Sequence, residues 1–102
     1  MTKRQIINTV KSLVYSVDQD AKVILFGSRA RGDNKNDSDW DFLILTSLPA
    51  NQENKNKFRD KLFDAEVELE QAFSTIIHNK IRWEDFELTP LYRNIRSEGI
   101  EL

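Results

Sequence analysis

The sequence predicts an α/β (α+β) fold in the order α-β-β-α-β-α. Two long stretches, 2–17 and 52–72, repeat apolar residues at three- and four-residue steps, the period of an amphipathic helix. Three short runs, 22–26, 39–45 and 74–78, are rich in β-branched and aromatic residues and have the length of strands. Turn-forming residues separate them: Asp18-Gln19-Asp20, the segment from Gly32 to Asp37, and the loop from Thr46 to Asn51 with Pro49.

Each element has a local reason. In the first helix Ile6, Ile7, Val10, Leu13, Val14 and Val17 form one apolar stripe, and Thr2 is a candidate N-cap. Lys22-Val-Ile-Leu-Phe26 is almost continuously apolar, which suits a strand buried on both faces, and Gly27 ends it. Ser28 to Arg31 can open a helical turn with Ser28 as its cap. Alternation along 39–45 sets Asp39, Asp41, Leu43 and Leu45 on one face and Trp40, Phe42 and Ile44 on the other. The long second helix carries Phe58, Leu62, Ala65, Leu69, Ala72 and Phe73. Ser74 to His78 is the third strand, and 79–88 is irregular or a single turn. Thr89-Pro90 starts the last helix, with Thr as cap and Pro in the first turn, and Gly99 stops it before the short run Ile100-Glu101-Leu102.

Composition narrows the function classes. At 102 residues with 39% hydrophobic side chains, residues 1–102 are expected to form one domain around one core. There is no cysteine, which excludes disulfides and thiolate metal sites. No apolar run reaches the roughly 20 residues that cross a bilayer, and polar residues interrupt the start, so the expected setting is cytoplasmic. A net charge of −2, from 15 basic and 17 acidic side chains, gives no global electrostatic reason to bind nucleic acid.

Chemistry concentrates in one stretch. Gly27-Ser28 leaves a strand and enters a helix start, where free backbone N–H groups and a hydroxyl can cradle phosphate oxygens. It is neither a Walker loop nor a three-glycine dinucleotide fingerprint. After ten intervening residues come Asp39 and, two further, Asp41. Residues two apart on a strand point the same way, with Cα atoms about 7 Å apart, so both carboxylates can converge on one hard cation. Oxygen ligation that leaves positions for phosphate and water is how proteins hold Mg²⁺. Arg29 and Arg31 can add positive charge beside a polyphosphate.

This arrangement, Leu25-Phe-Gly-Ser-Arg-Ala-Arg-Gly32 followed by Ser38-Asp-Trp-Asp-Phe-Leu-Ile44, resembles the nucleotidyltransferase superfamily related to DNA polymerase β. It is most similar to the minimal nucleotidyltransferase (MNT) branch, over nearly the whole chain. The resemblance implies a small mixed sheet with helices packed on one face. It also implies catalytic and metal-binding roles for Asp39 and Asp41, and phosphate contacts at Gly27 and Ser28. Mg²⁺ would be the cofactor and ATP the donor, with AMP passing to a hydroxyl. Minimal members of this branch are often encoded beside a HEPN protein, and some are antitoxins that adenylylate that toxin. A HEPN-type partner in a hetero-oligomer is therefore implied, and a chain this short has little room for its own acceptor-binding domain.

One feature departs from the family pattern. The family's third carboxylate belongs on the strand after the long helix, and Ser74-Thr-Ile-Ile-His78 has none; Glu70, Glu84 and Asp85 flank it. His78 has the titration range of a stand-in base, although a lone histidine at a strand end is more often a solvated surface residue. The gap raises two alternatives: a weak or inactive domain that neutralises its partner by binding, or a transferase for a small-molecule hydroxyl.

Two other features of the sequence have more than one reading. Asp60, Asp64, Glu66, Glu68 and Glu70 crowd like charges toward the end of the long helix, unfavourable by a few tenths of about 1 kcal/mol per pair. A solvated face is the preferred reading of them, and a basic partner surface the other. Trp83, Phe86, Leu91 and Tyr92 are expected to pack on the sheet.

Overall fold

A computed structural model describes residues 2–102; Met1, the first residue of the expected 1–102 domain, lies outside the described residues. The chain runs α1 (Lys3–Val17), β1 (Lys22–Phe26), α2 (Ser28–Arg31), β2 (Trp40–Thr46), α3 (Gln52–Leu69), β3 (Phe73–Asn79), α4 (Lys80–Trp83), a 3₁₀ turn (Glu84–Phe86), α5 (Pro90–Glu98) and β4 (Ile100–Glu101). None of these helices is long and apolar enough to cross a membrane.

The sheet is mixed, in the order β3-β2-β1-β4. β1 lies antiparallel to β2 and to β4, whereas β2 and β3 are parallel, because α3 returns the chain to the same end of the sheet. Asp41 pairs with Phe26 on one side and Ser74 on the other.

Both faces of β2 are apolar, so both must be covered. Phe42 and Ile44 pack with Val23, Leu25 and Ile77 under α1 (Ile6, Val10, Val14) and α3 (Phe58, Leu62). Leu43 and Leu45 form a second cluster with Trp83, Tyr92 and Ile95. The expected one-sided layering thus describes the two long helices, while the short α4 and α5 cover the opposite face. Trp83 and Tyr92 are core, as expected, whereas Phe86 and Leu91 stay more than a third exposed.

The caps follow the sequence closely. Thr2 Oγ1 accepts from the Gln5 N–H and Gln5 Oε1 accepts from the Thr2 N–H, a reciprocal capping box. Asn51 caps α3 and Thr89 caps α5. β2 runs one residue later than the expected 39–45, β3 extends one residue beyond each end of the expected 74–78, and two further boundaries move. α3 stops at Leu69 rather than 72, because Glu70 turns into the left-handed region (φ 53°) and the Ala72 carbonyl is recruited by the Trp40 N–H. In α2 the cap is Gly27, not Ser28, and Ser28 is the first helical residue.

Candidate functional site

The candidate site lies at one end of the sheet, where β1 exits into α2 and β2 begins. Gly27 adopts φ 74° and ψ −159°, a conformation that favours glycine. A Cβ there would overlap Asp41 Oδ2 and stand 3.0 Å from Asp41 Cγ. The missing side chain is therefore what lets the strand exit and the carboxylate lie side by side. The sequence singled out this glycine for close approach to a ligand; the structure shows that its nearest neighbour is the second motif.

Asp39 is exposed just before β2, and Asp41 is half-buried within it. Among the described residues, neither carboxylate accepts a hydrogen bond from the protein or enters an ion pair. Burial raises the pKa of Asp41, the nearby charge of Asp39 raises it further, Arg31 opposes this, and Glu98 adds to it. Two carboxylates two residues apart and without protein donors, one of them packed directly against the Cβ-less Gly27, are a donor set suited to a hard divalent cation. No group of three or more His, Cys, Asp or Glu that could hold a metal occurs among the described residues. Such an ion would therefore take its other ligands from water or phosphate.

The remaining predicted residues divide. The Ser28 and Arg29 N–H groups open α2 and have no intrahelical partner. Arg29 does not point its charge outward. Its guanidinium donates to the carbonyls of Ser38 (2.9 and 3.3 Å) and Asn36 (3.3 Å) and lies 4.5 Å from the Trp40 ring centroid. It ties the first half of the motif to the second across the 32–38 loop. Arg31 bonds Glu98 Oε2 (2.8 Å) and Asp33 Oδ2 (3.1 Å), and these two bonds raise its already high pKa.

Glu98, at the end of α5, is the residue that sequence reasoning missed. Its Oε1 accepts from the Gly27 N–H at 3.2 Å while Oε2 holds Arg31. It lies 71 residues from Gly27 in sequence, so no local spacing announces the contact. The only hint was Gly99 beside it: a Cβ there would meet the Ile95 carbonyl oxygen and stand 2.8 Å from Ile24 Cγ2.

The third strand brings no acid. β3 residues that share the face of Asp41, Leu43 and Leu45 are Ser74, Ile76 and His78. His78 is four residues along from the position opposite Asp41, about 13 Å at roughly 3.3 Å per residue. It packs between Trp83 (5.1 Å) and Phe86 (4.7 Å), where burial, with Lys55 nearby, lowers its pKa. It is neither a base for this site nor a solvated surface residue. Glu84 is bonded by the Tyr92 hydroxyl (2.8 Å) and Asp85 pairs with Arg82 (3.7 Å).

Comparison with known proteins places the chain in a family and a fold. Residues 3–101 match the family model described as the nucleotidyltransferase domain, and the chain belongs to that family. Among solved structures, it is similar to a chain from a crystal structure of a toxin-antitoxin with AMP-PNP. The TM-score is 0.68 at 18% identity, over 92% of this chain and 69% of that one. At that identity the likeness is one of fold. No curated protein sequence matches the chain.

Proposed function

We propose that this chain is a Mg²⁺-dependent nucleotidyltransferase that transfers AMP from ATP to a hydroxyl of a HEPN-type toxin, and so acts as its antitoxin. The observation that carries the reading is the unpartnered pair Asp39 and Asp41, with Asp41 packed against the Gly27 turn, in a chain of the nucleotidyltransferase domain family. The fold likeness to a chain of a toxin-antitoxin structure supports the setting.

In this reading Asp39 and Asp41 hold Mg²⁺, which neutralises charge on the transferring phosphoryl group when bound. The Ser28 hydroxyl and the first N–H groups of α2 bind phosphate oxygens. The acceptor oxygen forms a bond to the α-phosphorus as the bond to the bridging oxygen breaks and pyrophosphate leaves. The acceptor's proton passes to water or to a group of the partner, since β3 offers no carboxylate beside Asp41.

That last point also favours a second reading: an antitoxin that binds its toxin without modifying it. Intact-mass analysis separates the two. The chain is incubated with the product of the neighbouring gene, ATP and Mg²⁺. A partner heavier by one AMP, with no gain when the chain carries Asp39→Asn, supports transfer. A stable complex with no mass change supports binding alone, and neither complex nor mass change sinks both.

A further inference from the structure

Arg31 lies near enough to Asp41 for its charge to favour that carboxylate, yet the two form no ion pair. The guanidinium is engaged elsewhere, by Glu98 at 2.8 Å and Asp33 at 3.1 Å. Of these acids Glu98 is the better fixed. Its side chain is only 20% exposed, against 62% for Asp33, and its other oxygen is bound to the Gly27 N–H. Its backbone is held as well: the Gly99 N–H donates to the Ile95 carbonyl at 2.7 Å, and β4 then pairs with β1. One carboxylate from the far end of the chain thus spans both ends of the Gly27–Arg31 segment. Without it, Arg31 has within reach of its charge the unpartnered carboxylate of Asp41, and an Arg–carboxylate pair there would occupy oxygens that a cation needs.

We propose that Glu98 is a positioning residue: by engaging Arg31 it keeps that guanidinium off Asp41 and leaves both aspartates open to a divalent cation. The inference rests on the metal-binding reading above.

The test is Mn²⁺ binding to the full chain, followed by electron paramagnetic resonance, with thermal unfolding as a check of fold. Glu98→Gln keeps an oxygen for the Gly27 N–H but removes the charge that holds Arg31. It should weaken Mn²⁺ about tenfold, the size of one modest charge interaction. Arg31→Gln alone should stay within about twofold of wild type, because its charge is already engaged, and Arg31→Gln/Glu98→Gln should return to that level. A double variant as weak as Glu98→Gln overturns the proposal, since Glu98 would then be a ligand or a brace. Tenfold tighter binding in Arg31→Gln also overturns it, because the charges would then act by simple sum. An unchanged Glu98→Gln defeats the inference alone, whereas a wild-type chain that binds no Mn²⁺ defeats the metal reading on which it rests.

Discussion

Strand β2 has a carboxylate at each end, and the protein treats them in opposite ways. At the Thr46 end, Asp18 is buried and accepts four hydrogen bonds: from Thr46 Oγ1 (2.7 Å), the Ser47 N–H (2.8 Å), Ser47 Oγ (2.9 Å) and the Asp20 N–H (3.0 Å). Burial pushes its pKa up, but the hydrogen bonds from Thr46 and Ser47 outweigh it and the pKa falls below the ordinary value. At the other end, Asp41 receives no hydrogen bond from the described residues. Burial and Asp39 raise its pKa. A carboxylate that the fold satisfies stabilises the fold; one left unsatisfied beside a like charge costs stability and is available to a ligand.

The sharpest way to break this contrast is at the Asp41 end. Replacing Asp41 by Asn should reduce AMP transfer on the order of 100-fold or more, measured as the rate of mass gain by the partner, and should remove Mn²⁺ binding. Undiminished transfer would detach the acid pair from catalysis.

The next effect is expected at the opposite end. Asp18→Ala leaves the fully buried Thr46 hydroxyl without its acceptor, at a cost of about 2–4 kcal/mol, or a Tm lower on the order of 10–20 °C. The sign of its pH dependence follows from its lowered pKa. Its stabilisation is complete above the unfolded value of 3.8 and is lost as pH falls through the folded value. Tm measured down to pH 2 should therefore fall more steeply in wild type than in Asp18→Asn.

The smallest effect runs the other way. Because ionised Asp41 is crowded by Asp39 and Glu98, Asp41→Asn should raise Tm by roughly 2–4 °C while it abolishes metal binding. A lower Tm would show that Asp41 is structural like Asp18, and the contrast would collapse.

His78 belongs to neither end. Its lowered pKa means that protonation opposes folding, so its contribution is present above the unfolded value of 6.5 and declines as pH falls below it.

Most elements were legible because their causes are local. Helix period, strand alternation, the Thr2 and Thr89 caps and the Gly99 stop all act within a few residues. The motif residues Gly27, Ser28, Asp39 and Asp41 were legible for the same reason: a turn and a pair of residues two apart are short-range patterns. What remained hidden depended on how loops and turns fold side chains back onto one another, which periodicity along the chain does not report. Arg29 read as a phosphate-facing charge, but its partners are the Ser38 carbonyl and the Trp40 ring. His78 read as a surface residue or a base until Trp83 and Phe86 were placed around it.

The sequence by itself determined the order of the three longer strands and the three longer helices, though not β4, the two-sided apolar character of β1 and the residues of the acid pair. Periodicity and side-chain chemistry suffice for these. Tertiary structure decided that α4 and α5 cover the second face, that Asp41 shares its space with Gly27, and that Glu98 closes on Gly27 and Arg31. Those outcomes depend on how the sheet juxtaposes strand ends and on contacts across 67–71 residues. Burial and charge act there through space, where spacing along the chain carries no information.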